Sequence, residues 1–201
     1  MQALEYLDLT EHAVQHFYAG LRSCWEVYER ALEHWDISRI GQPLTGEETE
    51  RARRYVEQAG KYFDLKFSEG TLAGAITQVA ATGIRLFSTN TSIPDDCSDI
   101  VPGKAKAAIP FCIGGRMYGL PIGLIIYAAR NQYAHWEEDP FEVTRNVFRK
   151  LALSFADNFF FDLAFVLENP TIQIYANEVL LGGLHWTTYE KYRHEMEALI
   201  G

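Results

Sequence analysis

EHAVQHFYAGLRSCWEVYERALEH, residues 11–34, carries the period that decides the fold class. Val14, Phe17, Leu21, Trp25, Tyr28 and Leu32 recur at three- and four-residue steps, which places them on one face of an α-helix. Thr10 stands just before the pattern and suits its N-cap. Working outward, Gly41, Pro43 and Gly46 mark a connector over 37–46. Thr45 and Glu48, three residues apart, then resemble a capping box. The second helix is predicted to run to Phe67, with Ala52, Tyr55, Val56, Ala59 and Phe63 on its inner face. Ser68-Glu69-Gly70 is predicted to break it, and 71–87 reads as a third helix.

The rest of the chain continues the theme with one interruption. STNTSIPDDCSDIVPGKAK, residues 88–106, has two prolines and little apolar content, so it reads as a long surface loop. Pro121 suits the first turn of a fourth helix reaching His135. Asp139-Pro140 marks a new start, 141–167 reads as a fifth, aromatic helix, and Asn169-Pro170 ends it. Alternation at Ile172 and Ile174 and within 178–181 predicts a short β-hairpin near the C-terminus. A last helix reaches Ile200. The expected class is all-α: one helical-bundle domain over 1–201. Its parts are N-terminal helices in 10–87, the loop 88–106, helices in 120–167, and the hairpin and helix of 171–201.

Composition narrows the function. The 201 residues are 48% hydrophobic and 13% aromatic, which excludes a disordered or fibrous chain. A formal charge of −9 argues against a protein that coats nucleic acid non-specifically, though not against a local basic site. The N-terminus has no basic and apolar signal-peptide pattern, and the apolar run Leu120 to Ala129 is too short for a membrane helix. Cys24, Cys97 and Cys112 are odd in number and lack C-x-x-C spacing, which suits reduced thiols in a cytoplasmic protein. His12 and His16 have i, i+4 spacing, but no H-E-x-x-H or E-x-x-H accompanies them; neither metal nor cofactor is expected.

One segment carries chemistry: Tyr127-Ala128-Ala129-Arg130-Asn131-Gln132-Tyr133-Ala134-His135. A fixed guanidinium holds a phosphate and stabilises a pentavalent transition state, and an imidazole moves a proton near neutrality. The amide of Asn131 can orient either one. On an ideal helix Arg130 and His135 lie about 140° apart, so they meet only if the helix loosens before Asp139-Pro140. With 12 Arg and 6 His, some R-x4-H pair arises by chance in roughly a third of such chains. Asn directly after the arginine reduces that to roughly one in a hundred.

The run R-N-Q-Y-A-H, residues 130–135, resembles the R-x4-6-H motif of the HEPN superfamily of small α-helical proteins, in which a polar residue also follows the arginine. The motif-level likeness covers about a dozen residues, 127–138, and a bundle with the motif in its later half agrees with the family's architecture. The resemblance implies a homodimer whose two motifs meet in one RNA-cleaving site, a metal-independent endoribonuclease of toxin–antitoxin or antiviral defence type. An antitoxin or regulatory protein would be a further partner. Carried over, Arg130 binds the scissile phosphate, His135 is the acid/base and Asn131 positions them. The RNA 2′-hydroxyl is then the nucleophile. Arg145, Arg149 and Lys150 on the next helix are candidate RNA-backbone contacts, with weaker support for Lys104 and Lys106. The acidic run 137–139 departs from what an RNA-binding rim wants; it either stabilises the His135 imidazolium or, as the favoured reading, caps the following helix. Phe155, Phe159, Phe160, Phe161 and Phe165 are read as core or dimer interface. The competing class is a non-catalytic dimeric interaction or sensor protein in which Arg130, Asn131 and His135 form a structural network.

Overall fold

The computed structural model describes residues 1–34, 45–153 and 162–201. The connector expected over 37–46 falls mostly outside them, as do Phe155, Phe159, Phe160 and Phe161. Helices dominate the described residues. They are α1 (Ala3–Leu32), α2 (Gly46–Phe87), α3 (Ile122–Ala134), α4 (Glu142–Leu153), the single turn α5 (Ala176–Glu178) and α6 (Tyr189–Ile200). Among the described residues no helix is long and apolar enough to cross a membrane.

α1 starts eight residues before Thr10's predicted cap. Tyr6 and Leu7 extend the buried stripe of Val14, Tyr18 and Leu21 toward the N-terminus. Glu5 accepts a hydrogen bond from the Gln2 N–H at 3.1 Å, satisfying one group at the helix start. Thr10 is therefore an interior residue, and its hydroxyl donates back to the Tyr6 carbonyl at 2.9 Å.

The predicted break at Ser68-Glu69-Gly70 does not occur; α2 runs unbroken for 42 residues. The capping box is present at its start, with Glu48 accepting from Thr45 N–H at 2.7 Å. Glu69 is buried and accepts from Tyr62 at 3.2 Å, so it is no loop residue. Gly70 faces Ile174 so closely that a Cβ would lie 2.7 Å from the isoleucine's own. Its helix-propensity cost of about 1 kcal/mol is the condition for that contact.

α1 and α2 run antiparallel. Tyr6 donates to the Val79 carbonyl at 2.8 Å, Gly20 abuts Leu72, and the Tyr28 and Tyr62 rings stand 4.8 Å apart. α3 is the central helix: residues 122–129 are buried throughout except Tyr127, as expected of a helix apolar on all sides. It crosses α2 at Gly74, where any side chain would overlap the Tyr133 ring, and meets the Phe111 carbonyl at Gly123 in the same manner. α6 closes the other side of α1 and α2 through Tyr192, Met196 and Ile200.

Three further expectations change. The hairpin predicted within 171–181 is absent: α5 and a π-helical turn, Val179–Gly183, occupy that stretch, with Ala176, Asn177, Val179 and Leu180 buried. Ile172 and Ile174 do alternate with exposed Thr171 and Gln173, but among the described residues no strand pairs with them, and 174–177 is buried without a break. A two-stranded hairpin lies instead before α3, pairing β1 (Arg116–Met117) with β2 (Leu120–Pro121). Its turn residues Tyr118 and Gly119 have φ of 53° and 72°, the two left-handed positions of a type I′ connection. The stretch 88–106 is irregular as expected, yet Cys97, Ile100 and Val101 anchor it in the core. Finally, the helix predicted to Leu167 is not α-helical at Leu163–Phe165. That is a 3₁₀ turn, and Asp162 accepts from the Ala164 N–H at 3.0 Å to cap it.

Candidate active site

The last turn of α3 brings polar groups out of an apolar core. Arg130 is half-buried, and its guanidinium is held at two edges by amides. Its Nε donates to Gln78 Oε1 at 2.8 Å and its Nη1 to Asn131 Oδ1 at 2.9 Å. Gln78 is itself oriented, since its Nε2 donates to Thr82 Oγ1 at 3.3 Å while that hydroxyl donates to the Gln78 carbonyl at 2.9 Å. Among the described residues no carboxylate pairs with Arg130, so its positive charge is positioned but not neutralised.

Asn131 is 6% exposed, and its Oδ1 accepts from Arg130 directly. The neighbouring Gln132 faces away from the cleft. It donates to the Gln173 carbonyl at 2.8 Å and accepts from Tyr175 N–H at 2.9 Å, tying α3 to the chain before α5.

His135 reaches the same cleft because α3 stops one residue before it. Its backbone (φ −133°, ψ 36°) leaves the helix while its N–H still donates to the Asn131 carbonyl at 3.1 Å. The 140° separation of an ideal helix therefore does not apply. The ring packs edge-on to Phe141 at 5.2 Å, and Nδ1 lies 3.1 Å from Glu138 Oε1. A carboxylate can only accept, so this contact places the proton on Nδ1 and leaves Nε2 as an acceptor in the neutral ring. Of the two readings of the acidic run, Glu138 takes the one beside His135, whose ring it orients.

Arg130, Asn131 and His135 share a cleft of about 320 Å³ with Gln78, Thr82 and Arg85 of α2. Arg85 is exposed and makes no ion pair among the described residues, giving the cleft a second cation. The sequence reading missed this wall. Its signal was present: Gln78, Thr82 and Arg85 sit at i, i+4 and i+7 within 71–87, a stretch otherwise made mostly of small and apolar residues.

Arg145, Arg149 and Lys150 are not brought to this cleft. Arg145 donates to the Pro140 carbonyl at 3.1 Å and borders, with Arg149, a groove that includes Leu163 and Glu168. Lys150 stands 3.8 Å from Asp99 in another depression, shared with Arg149 and Tyr118. Lys104 pairs with Glu142 at 3.0 Å. The His12 and His16 rings lie 4.2 Å apart on the exposed side of α1. Among the described residues no group of three or more His, Cys, Asp or Glu side chains converges. Cys24, Cys97 and Cys112 are buried free thiols, and burial pushes that of Cys112 up to about 12.

The cleft thus joins an unneutralised guanidinium, a second cation and an imidazole with a defined tautomer. Chemically, such a set is suited to hold an oxyanion and to transfer a proton beside it. No protein-family model matches the chain, and no curated protein or solved structure shows significant similarity to it.

Proposed function

We propose that the chain is a metal-independent endoribonuclease of the HEPN type, acting as a homodimer in a toxin or defence role. The observation that carries this reading is the pairing of an arginine held by amides with a carboxylate-oriented histidine in one open cleft. Arg130 binds the scissile phosphate and stabilises the charge that gathers on it in the transition state. His135 Nε2 takes the proton of the RNA 2′-hydroxyl, and the 2′-oxygen attacks the adjacent phosphorus. The P–O5′ bond breaks, and the 5′-oxygen leaves with a proton from the partner's His135 or from water. The products are a 2′,3′-cyclic phosphate and a 5′-hydroxyl. Gln78 and Asn131 act by fixing the guanidinium before substrate arrives.

The competing reading, a non-catalytic dimeric interaction or sensor protein, draws on the net charge of −9, which opposes RNA approach. End-labelled RNA incubated with purified protein in EDTA separates the two, with His135→Ala prepared identically. The catalytic reading expects cutting in EDTA that leaves cyclic-phosphate ends and disappears in the variant. Intact RNA with the wild-type protein supports the non-catalytic reading. Light scattering on the same samples checks the dimer.

A further inference from the structure

A second cavity lies on the opposite end of α2's inner face, and nothing in the proposed nuclease uses it. It measures about 230 Å³, room for several waters or a small organic molecule. Three charged side chains meet there. Lys66 Nζ stands 3.1 Å from Glu69 Oε2 and 3.4 Å from Glu178 Oε1, and its ammonium lies 5.0 Å from the centre of the Tyr62 ring. Two carboxylates against one ammonium leave the cavity one negative charge in excess.

The wall also carries Asn177, which is 4% exposed. Its Oδ1 is sealed from solvent with no hydrogen-bond partner. A buried polar atom left unpaired costs about 1–3 kcal/mol, so an amide oxygen left idle in the wall of a cavity calls for a partner that enters it. At the rim, Phe63 and Phe67 are 69% and 51% exposed on consecutive turns of α2. Exposed aromatics beside a negative, polar-lined cavity match a ligand with a cationic head and an apolar body.

We propose that this cavity binds a small primary amine on an apolar stem. The ammonium enters beside Glu178 and donates to its carboxylate, and the Asn177 side chain turns its sealed Oδ1 toward the ligand to accept the second bond. Lys66 keeps Glu69 neutralised behind it, which prevents the buried carboxylate from drawing the ligand deeper. The stem lies against Phe63 and Phe67. This assignment is independent of the nuclease reading, since it shares no residue with the Arg130 cleft.

The test is titration of the ¹⁵N-labelled full chain with phenethylamine, using 2-phenylethanol as the uncharged control and following backbone amide shifts. Saturable shifts confined to the neighbourhood of Asn177 and Phe63, with a Kd of about 1 mM or tighter, are expected for the amine. The alcohol should bind at least about tenfold more weakly. Glu178→Gln should weaken amine binding about tenfold, and Phe63→Ala, at an exposed position that leaves folding intact, about threefold. Arg130→Ala should leave it unchanged. Equal shifts from amine and alcohol, indifference to Glu178→Gln in a folded variant, or no saturation by about 10 mM would each overturn the proposal.

Discussion

α2 forms a wall of both cavities, and the contrast between them lies in how each holds its cation. Lys66 sits between two carboxylates, whereas Arg130, on the neighbouring helix, is gripped by two neutral amides. Gln78 follows Lys66 by twelve residues, about 18 Å along the helix axis. Over that distance the same scaffold changes from a site with excess negative charge to one with excess positive charge. The partners, not the cations, decide this. A carboxylate cancels the field of the ammonium it orients, while an amide orients a guanidinium and leaves its field intact for an incoming anion.

The largest expected effects come from removing the groups that give the cleft its chemistry. Arg130→Ala and His135→Ala should each lower single-turnover RNA cleavage by about 10³-fold, with circular dichroism unchanged. A sharper variant turns one site into a copy of the other. Gln78→Glu places a carboxylate where Arg130 Nε now meets an amide, neutralising the guanidinium without displacing it. Cleavage should fall about 100-fold, more than the roughly tenfold loss for Gln78→Ala, although the glutamate variant makes the stronger ion pair. Equal losses in the two variants would mean that charge at this position is unimportant and that the comparison fails.

Intermediate effects probe the shared scaffold. Gly74→Ala drives a methyl into the Tyr133 ring and pushes α2 away from α3. Thermal unfolding should report a loss of about 1–3 kcal/mol. The same displacement should move Gln78 from Arg130 and lower cleavage, while Gly60→Ala, where nothing lies near the added carbon, should leave both unchanged.

pH adds a further check on the Lys66 side. Burial raises Tyr62 and Tyr175 to about 12 from an ordinary value of 10.0, so the folded state holds these protons more tightly than the unfolded chain does. Their contribution is complete below pH 10 and is lost as the pH rises from there through about 12. Absorbance at 295 nm should show tyrosine ionisation delayed beyond pH 10 and coincident with loss of helical signal. Early ionisation without unfolding would contradict the buried placement.

The smallest effects are expected from Arg145 and Arg149, which lie away from the Arg130 cleft. Replacing both by Ala should change cleavage less than about threefold and act mainly through the salt dependence of RNA affinity. A loss as large as that of Arg130→Ala would mean that the RNA path runs over α4 and would restore the reading made from sequence alone.

Much of the helical content was legible because helix periodicity is a local signal. The helix over 11–34, the capping box at Thr45 and Glu48, and the stop after Ala134 all depend on residues a few positions apart. Tyr28 and Leu32, read as part of the stripe, are nevertheless exposed, and the buried face runs through Tyr18, Cys24 and Ala31. The errors have the opposite character. Gly70 looks like a breaker until Ile174, over a hundred residues away, fills the space beside it. The stretch 171–181 resembles a hairpin by alternation, but among the described residues no strand partner justifies it, and the helical turns that begin at Ala176 pack into the core instead. Thr10 resembled a cap only because the apolar stripe had been started too late, at Val14 rather than at Tyr6 and Leu7.

The candidate site divides in the same way. The sequence by itself determined that Arg130, Asn131 and His135 are present at a helix end, and that Asn131 is adjacent to the arginine it serves. Tertiary structure decided that Gln78 stands opposite Arg130, 52 positions away in the chain, that Arg85 joins the cleft, and that Arg145 and Arg149 do not. It also decided which way His135 turns, through the contacts with Glu138 and Phe141 that receive it as the helix stops. The physical reason is range. Backbone hydrogen bonds and side-chain stripes are set by neighbours within one or two turns, whereas the charge and orientation of a site depend on which helices the core brings face to face.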